Sequence, residues 1–150
     1  MRRSEDVVLM NMCMVYDENG NILVQERVHK DWSGITFPGG HVEKNEAFID
    51  SVIREVYEES GLTIVHPKLC GIKQWSEDDI RYVVVCYKTN EYTGTLTSSS
   101  EGAMYWISLE EFKHKTLASG MEYMIEVFTN EAIQEHYIEE RKDEWMDVLK

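Results

Sequence analysis

The sequence predicts an α/β fold, on three observations. Residues 7–16 form an almost unbroken apolar run with Asn11 as its one polar interruption, the pattern of a strand buried on both faces. Residues 22–28, 63–75, 80–89 and 103–107 read as further strands, apolar or alternating between turn-forming residues. Two other stretches carry apolar residues at helical spacing: Ile49, Val52, Ile53 and Val56, then Met121, Met124, Ile125 and Phe128. A chain of 150 residues suffices for one domain with a proper core and is too short for two comfortable ones, so residues 1–150 are expected to form a single domain.

The first strand ends at Asp17-Glu18-Asn19-Gly20, whose Asn-Gly pair is the strongest short hairpin signal, and residues 22–28 are expected to return as its partner. That strand puts Gln25 and Arg27 on the face opposite Val24 and Glu26. A polar loop over 29–34 carries the aromatic Trp32, and a short strand at 35–37 runs into the turn-forming Phe37-Pro38-Gly39-Gly40. Asn45 is read as the N-cap of a helix from about Glu46 to Ser60, which Gly61 stops in the left-handed position. The strand region 63–75 is interrupted near Pro67 and Gly71, and a turn at 76–79 makes it a hairpin with 80–89, Trp75 and Tyr82 near its ends. Gly94 marks a turn and short strand over 90–96, and residues 98–102 are a polar loop before the strand at 103–107. Ser108 to Phe112 reads as a capped helical turn. Ile138, Trp145, Val148 and Leu149 fall on one possible helical side, so residues 130–150 are read as an acidic C-terminal helical extension, packed on the domain or on a partner subunit. Monomer and homodimer both stay open.

A net charge of −13 argues against binding nucleic-acid polymers, because that affinity rests on neutralising phosphates with Lys and Arg. The same charge repels a nucleotide, so metal ions and a few local basic residues must compensate at any site that takes one. Cys13, Cys70 and Cys86 are an odd, widely spaced set with no C-x-x-C spacing, which reads as buried free thiols in a reducing cytoplasm. The N-terminal apolar run is too short for a signal peptide, and none approaches membrane-spanning length, so no membrane partner is expected.

The chemistry concentrates between Gly39 and Leu62. Glu55, Glu58 and Glu59 stand at i, i+3 and i+4 of the predicted helix and project from one face within a turn. Like charges so close repel, and Arg54 can neutralise only one of them. Carboxylate oxygens are hard ligands suited to Mg²⁺, Mn²⁺ or Ca²⁺. Alone, such a cluster is more often a solvated acidic face. Here it sits in a longer pattern, G-x5-E-x7-R-E-U-x-E-E-x-G-U with U apolar, met by Gly40, Glu46, Arg54, Glu55, Val56, Glu58, Glu59, Gly61 and Leu62. The charged and glycine positions alone would coincide by chance on the order of 10⁻⁹ per starting position at roughly 6% usage per residue type.

This pattern resembles the Nudix box, the signature of hydrolases that cleave nucleoside diphosphates linked to another moiety. The resemblance implies an α/β/α sandwich around a mixed β-sheet and a Mg²⁺ cofactor, with Mn²⁺ as a substitute. Glu55, Glu58 and Glu59 would bind the metal, joined by the Gly39 carbonyl, with Glu101 as an additional ligand or base. Arg54 would orient Glu55, and Gly40, Glu46 and Gly61 would hold the motif in shape. Arg27, just upstream, would contact the substrate phosphates, and Trp32, Trp75, Tyr82 and Met121 would lie nearest a base pocket. The mechanism implied is substitution at phosphorus by a metal-activated water, and no G-x-S-x-G or Cys/His pair offers a covalent nucleophile.

The run from Trp32 to Glu43 resembles the MutT-type branch, which hydrolyses oxidised purine nucleoside triphosphates such as 8-oxo-dGTP. The asparagine those enzymes use on the purine has no clear counterpart around Ser119-Gly120-Met121. The substrate is thus expected to be a small-molecule nucleotide: a purine nucleoside triphosphate, or alternatively ADP-ribose or a nucleotide sugar. A non-catalytic nucleotide sensor would have no use for a complete acid cluster.

Overall fold

The computed structural model describes residues 2–150. Its centre is a six-stranded mixed sheet in the order β11-β10-β6-β7-β1-β4. The strands are β1 (Asp6–Val15), β4 (Gly39–His41), β6 (Lys68–Glu77), β7 (Ile80–Thr89), β10 (Glu135–Arg141) and β11 (Glu144–Leu149). A three-stranded antiparallel sheet stands beside it, with β2 (Asn21–Arg27) between β3 (Gly34–Thr36) and β9 (Gly102–Ser108). A ribbon of β5 (Leu62–Val65) and β8 (Glu91–Gly94) completes the strands.

The helices cover both faces. The apolar run of β1 is buried on both sides only over residues 11–15; at its start Val7 is exposed and Val8 to Met10 are half-buried, because the strand leaves the cover of the helices there. Cys13 and Val15 join Val52 and Val56 of α1 (Phe48–Ser60) in one core, with Leu23, Ile64 and Val85. Met12 and Met14 face the other way, into a core with Phe112 of α2 (Leu109–His114) and Met121, Met124 and Phe128 of α3 (Met121–Thr129). The two cores lie on opposite faces of the sheet, which gives the α/β/α sandwich. Among the described residues no helix is long and apolar enough to cross a membrane.

Four local expectations need correction. The segment 130–150 is not helical: β10 and β11 form an antiparallel hairpin, and β10 adds in parallel to the edge of β6. Lys142 and Asp143 both take positive φ (50° and 67°), the conformation of a two-residue hairpin turn, and the open edge of β6 pairs with the extended segment that precedes it. Residues 22–28 do not pair along β1. Only Tyr16 and Ile22 bridge, because β1 is already flanked by β7 and β4, and β2 instead pairs with β9 and β3. Helix α1 begins at Phe48, with Asn45 in a left-handed conformation and Ala47 at the cap. Glu46 stays outside the helix, where its carboxylate accepts from the Glu43 N–H at 3.0 Å. Finally, Cys13 and Cys86 are buried free thiols, but Cys70 is only half-buried.

The stop at Gly61 is as expected, in a left-handed conformation with its N–H on the Tyr57 carbonyl. Ser108 and Glu111 form a reciprocal capping box at the start of α2.

Candidate active site

The site is assembled where β4 crosses the end of α1. Gly39 and Gly40 pair with Met12 and Asn11 of β1, and each has another group pressed against the place a Cβ would take. A Cβ on Gly39 would lie 2.1 Å from the Asn11 carbonyl oxygen, and one on Gly40 would lie 2.3 Å from the Glu55 carboxyl. Asn11, the polar break in β1, is 3% exposed and serves both partners. Its Oδ1 accepts the Gly40 N–H at 3.0 Å, and its Nδ2 donates to Ser51 Oγ of α1 at 2.9 Å. The glycine turn is thereby pinned to the helix that carries the acids.

Arg54 organises the rim. Its guanidinium donates two bonds to Glu46, at 2.8 and 2.9 Å, one to Glu55 Oε1 at 2.9 Å, one to Glu58 Oε2 at 3.3 Å and one to the His41 carbonyl at 3.0 Å. This forked contact holds Glu46 at a pKa of about 2, well below the usual carboxylate range.

The inner acids behave oppositely. Glu59 is 4% exposed and accepts the Gly39 N–H at 3.1 Å. Burial, with the carboxyl of Glu101 as a hydrogen-bonding neighbour, pushes its pKa up to about 9. Glu55 is also raised, chiefly by burial and against the pull of Arg54. Two carboxyl groups in contact, one of them almost fully buried, need either a proton or a cation between them.

These acids open into a cavity of about 600 Å³, a size typical of small-molecule sites. Gly39, Gly40, Glu55, Glu59 and Glu101 line it together with Arg27, Trp32 and Trp75. Arg27 lies over the Trp32 ring at 5.4 Å, and its buried Nε has no hydrogen-bond partner among the described residues. Trp32 is fixed by a bond from Nε1 to the Ser119 carbonyl at 3.1 Å.

Three of the expected residues stand elsewhere. Glu58 is outside the lining, its side chain 55% exposed and engaged by Arg54. Tyr82 does not line the cavity; it stacks on Trp75 at 5.0 Å. Met121 is fully buried in the core, and the methionines along the cavity are Met10, Met12 and Met124. One helical turn separates 121 from 124, and the spacing of apolar residues does not say which of them meets the sheet and which meets a ligand. Nor are the expected ligands preassembled: among the described residues no three His, Cys, Asp or Glu groups are gathered into one metal-binding cluster.

Lys73 is one of the cavity residues that sequence reasoning missed. It is 7% exposed and lies beside Trp75, with its Nζ 5.3 Å from that ring. The available signal was alternation: Gly71, Lys73 and Trp75 share one face of β6, so a lysine stands on the same face as a cavity-lining tryptophan. A second hollow of about 540 Å³, between the start of β6 and Val127 and Phe128, holds none of the acid cluster.

Comparisons with known proteins agree with this arrangement. A family model described as NUDIX domain matches residues 10–128. The Nudix hydrolase YvcI of Bacillus subtilis (strain 168) is 29% identical over 114 residues, which cover 72% of this chain and 70% of YvcI. Among solved structures, the MutT protein of Bacillus halodurans superposes with a TM-score of 0.77 at 22% identity, over 95% of this chain and 97% of that one. The MutT protein of Methanosarcina mazei Go1 gives 0.72 at 23% identity, over 87% and 99%. At these identities the structural likeness is one of fold.

Proposed function

This chain belongs to the NUDIX domain family, a family of hydrolases, and on that premise we propose that it is a Mg²⁺-dependent, MutT-like nucleoside triphosphate pyrophosphohydrolase. Its substrates in this reading are purine deoxynucleotides, oxidised ones such as 8-oxo-dGTP among them, and its products are a nucleoside monophosphate and pyrophosphate. The observation that carries the reading is one cavity lined by buried carboxylates, an arginine and two tryptophans.

The donor set fits a hard divalent cation. Glu55, Glu59 and Glu101, with the Gly39 carbonyl, would hold it, and Glu58 would add a carboxylate from the rim. The pKa of about 9 at Glu59 supports this, since a buried carboxyl gains most from a cation that replaces its proton. When bound, the ion polarises phosphoryl oxygen and lowers the pKa of a water. The chain's own residues do the positioning. Arg54 fixes Glu55 and, through the His41 carbonyl, the end of the glycine strand; Glu101 acts as a further ligand or as proton acceptor; Arg27, in the cavity lining, supplies its guanidinium to a phosphate. Trp32 and Trp75 offer flat apolar walls to a base. The free cysteines support a reducing cytoplasm as the setting.

The test is product identity. Turnover of dNTPs, oxidised dNTPs, ADP-ribose and dinucleoside polyphosphates with Mg²⁺ in ¹⁸O-labelled water is expected to favour a purine dNTP and to give monophosphate plus pyrophosphate. Nucleoside diphosphate plus orthophosphate as the main products, or turnover of ADP-ribose alone, would overturn it.

A further inference from the structure

We propose that Lys73 reads the nucleobase, donating from its ammonium to a ring carbonyl oxygen and so favouring oxopurines over adenine. The inference rests on the nucleotide reading of the cavity given above.

Three features put an unmet donor at this place. Lys73 is more than nine-tenths buried, yet among the described residues no carboxylate lies within salt-bridge distance of its ammonium; Asp147 and Glu122 act on it only from farther off. The nearest acid that could have served is already engaged, because Asp147 Oδ1 lies 2.6 Å from Nε2 of the fully buried His136, the residue paired with Lys73 across β10 and β6. The ammonium also faces the wrong end of a helix. A Cβ on Gly120, the N-cap of α3, would lie 2.9 Å from Lys73 Nζ, and a helix N-terminus carries partial positive charge. An ammonium has three donors and no acceptor of its own, and among the described residues none accepts from Lys73, so its donors are free for water or for an acceptor on a ligand in the cavity.

Position separates a base from a phosphate as that acceptor. Lys73 pairs with Val84, Val84 with Met10 and Met10 with His41, so three strand spacings, roughly 14 Å, separate its backbone from the glycine strand beside the acids. Phosphates held at Glu55 and Glu59 leave the nucleoside end to reach Lys73. There Lys73 and Trp75 line the cavity together, with the ammonium over the ring against which Tyr82 stacks. A carbonyl oxygen accepts from Lys73, whereas the exocyclic amine of adenine in the same place presents hydrogens to a donor.

The test compares dITP with dATP, which differ at the 6-position, in wild type and in Lys73→Met, a substitution that keeps the apolar stem. Wild type is expected to favour dITP at least about tenfold in kcat/KM. Lys73→Met should bring the two within twofold by raising KM for dITP, with kcat and Mg²⁺ dependence unchanged. Its thermal stability should equal or exceed that of wild type, since a buried unpaired charge is gone. Calorimetric binding of dIMP and dAMP to the Mg²⁺-loaded protein gives the same comparison without turnover. Lys73-dependent preference for dIMP with no hydrolysis of either triphosphate would uphold Lys73 while overturning the proposed reaction. Hydrolysis with an unchanged dITP to dATP ratio in Lys73→Met would overturn Lys73 alone.

Discussion

Glu59→Gln is expected to lower turnover about a thousandfold, and at the same time to stabilise the metal-free protein at neutral pH. The amide keeps the shape of the side chain but loses the charge that would hold a divalent ion, whose stabilisation of the transition state is worth several kcal/mol. The stability effect has the opposite sign for a definite reason. In the folded protein Glu59 has its pKa raised to about 9, against an ordinary value of 4.5, so between those pH values the folded state binds more protons than the unfolded one. The stability of metal-free wild type should be fully present below about pH 4.5 and fall as pH rises towards 9. Glutamine has no proton to lose, so its melting temperature should not share this fall. Mg²⁺ should restore wild type at high pH and stabilise the variant much less. Melting curves in EDTA and in Mg²⁺ from pH 5 to 9 check this, and parallel pH profiles for the two proteins would contradict it.

The two glycines of the turn should separate folding from chemistry. A Cβ on Gly39 meets backbone, the Asn11 carbonyl oxygen at 2.1 Å and Met12 Cα at 2.8 Å, so the β1–β4 pairing itself must yield. Gly39→Ala is therefore expected to destabilise by about 3 kcal/mol, or ~6–12 °C in Tm. The atoms nearest a Cβ on Gly40 belong to the end of the Glu55 side chain, whose carboxyl carbon would lie 2.3 Å away. That carboxyl can swing aside, so Gly40→Ala should melt near the wild-type temperature while losing about a hundredfold in kcat, since a misplaced group near 1 Å is enough for such a loss. Thermal melts beside single-substrate kinetics distinguish the two. Wild-type turnover in Gly40→Ala would remove Glu55 from the active arrangement.

These contrasts show which parts of the molecule could be read from residues alone. The acid cluster was legible because its spacing is local: the positions of Glu55 and Glu59 on one helix follow from the helical repeat, and Gly61 ends that helix by its own conformational freedom. β1 was legible from its continuous apolar run. The base end of the cavity was not, because it is built by register between distant strands. Lys73, Val84 and Met10 become neighbours only once β6, β7 and β1 align, and nothing near residue 73 announces the partner. The same limit explains Met121 and Met124, which a helical stripe treats alike although only one of them lines the cavity. The C-terminal hairpin was misread for a related reason. Its stability as strands comes from the exposed edge of β6, while its own sequence places Ile138, Trp145 and Val148 compatibly with a helix. Asn11 is the converse case: an evident polar break in β1 whose purpose, bridging Gly40 and Ser51, appears only in three dimensions.

The central claim, that the buried carboxylates form a divalent-cation site, is tested most directly by titrating Mn²⁺ into the protein and counting free ion by its EPR signal, with no substrate present. Wild type is expected to bind Mn²⁺ with release of protons at pH 7, because the ion displaces the proton that burial favours on Glu59. Glu59→Gln should bind at least about tenfold more weakly and release none. Equal Mn²⁺ binding by the two proteins, or no binding by folded wild type, would contradict the account.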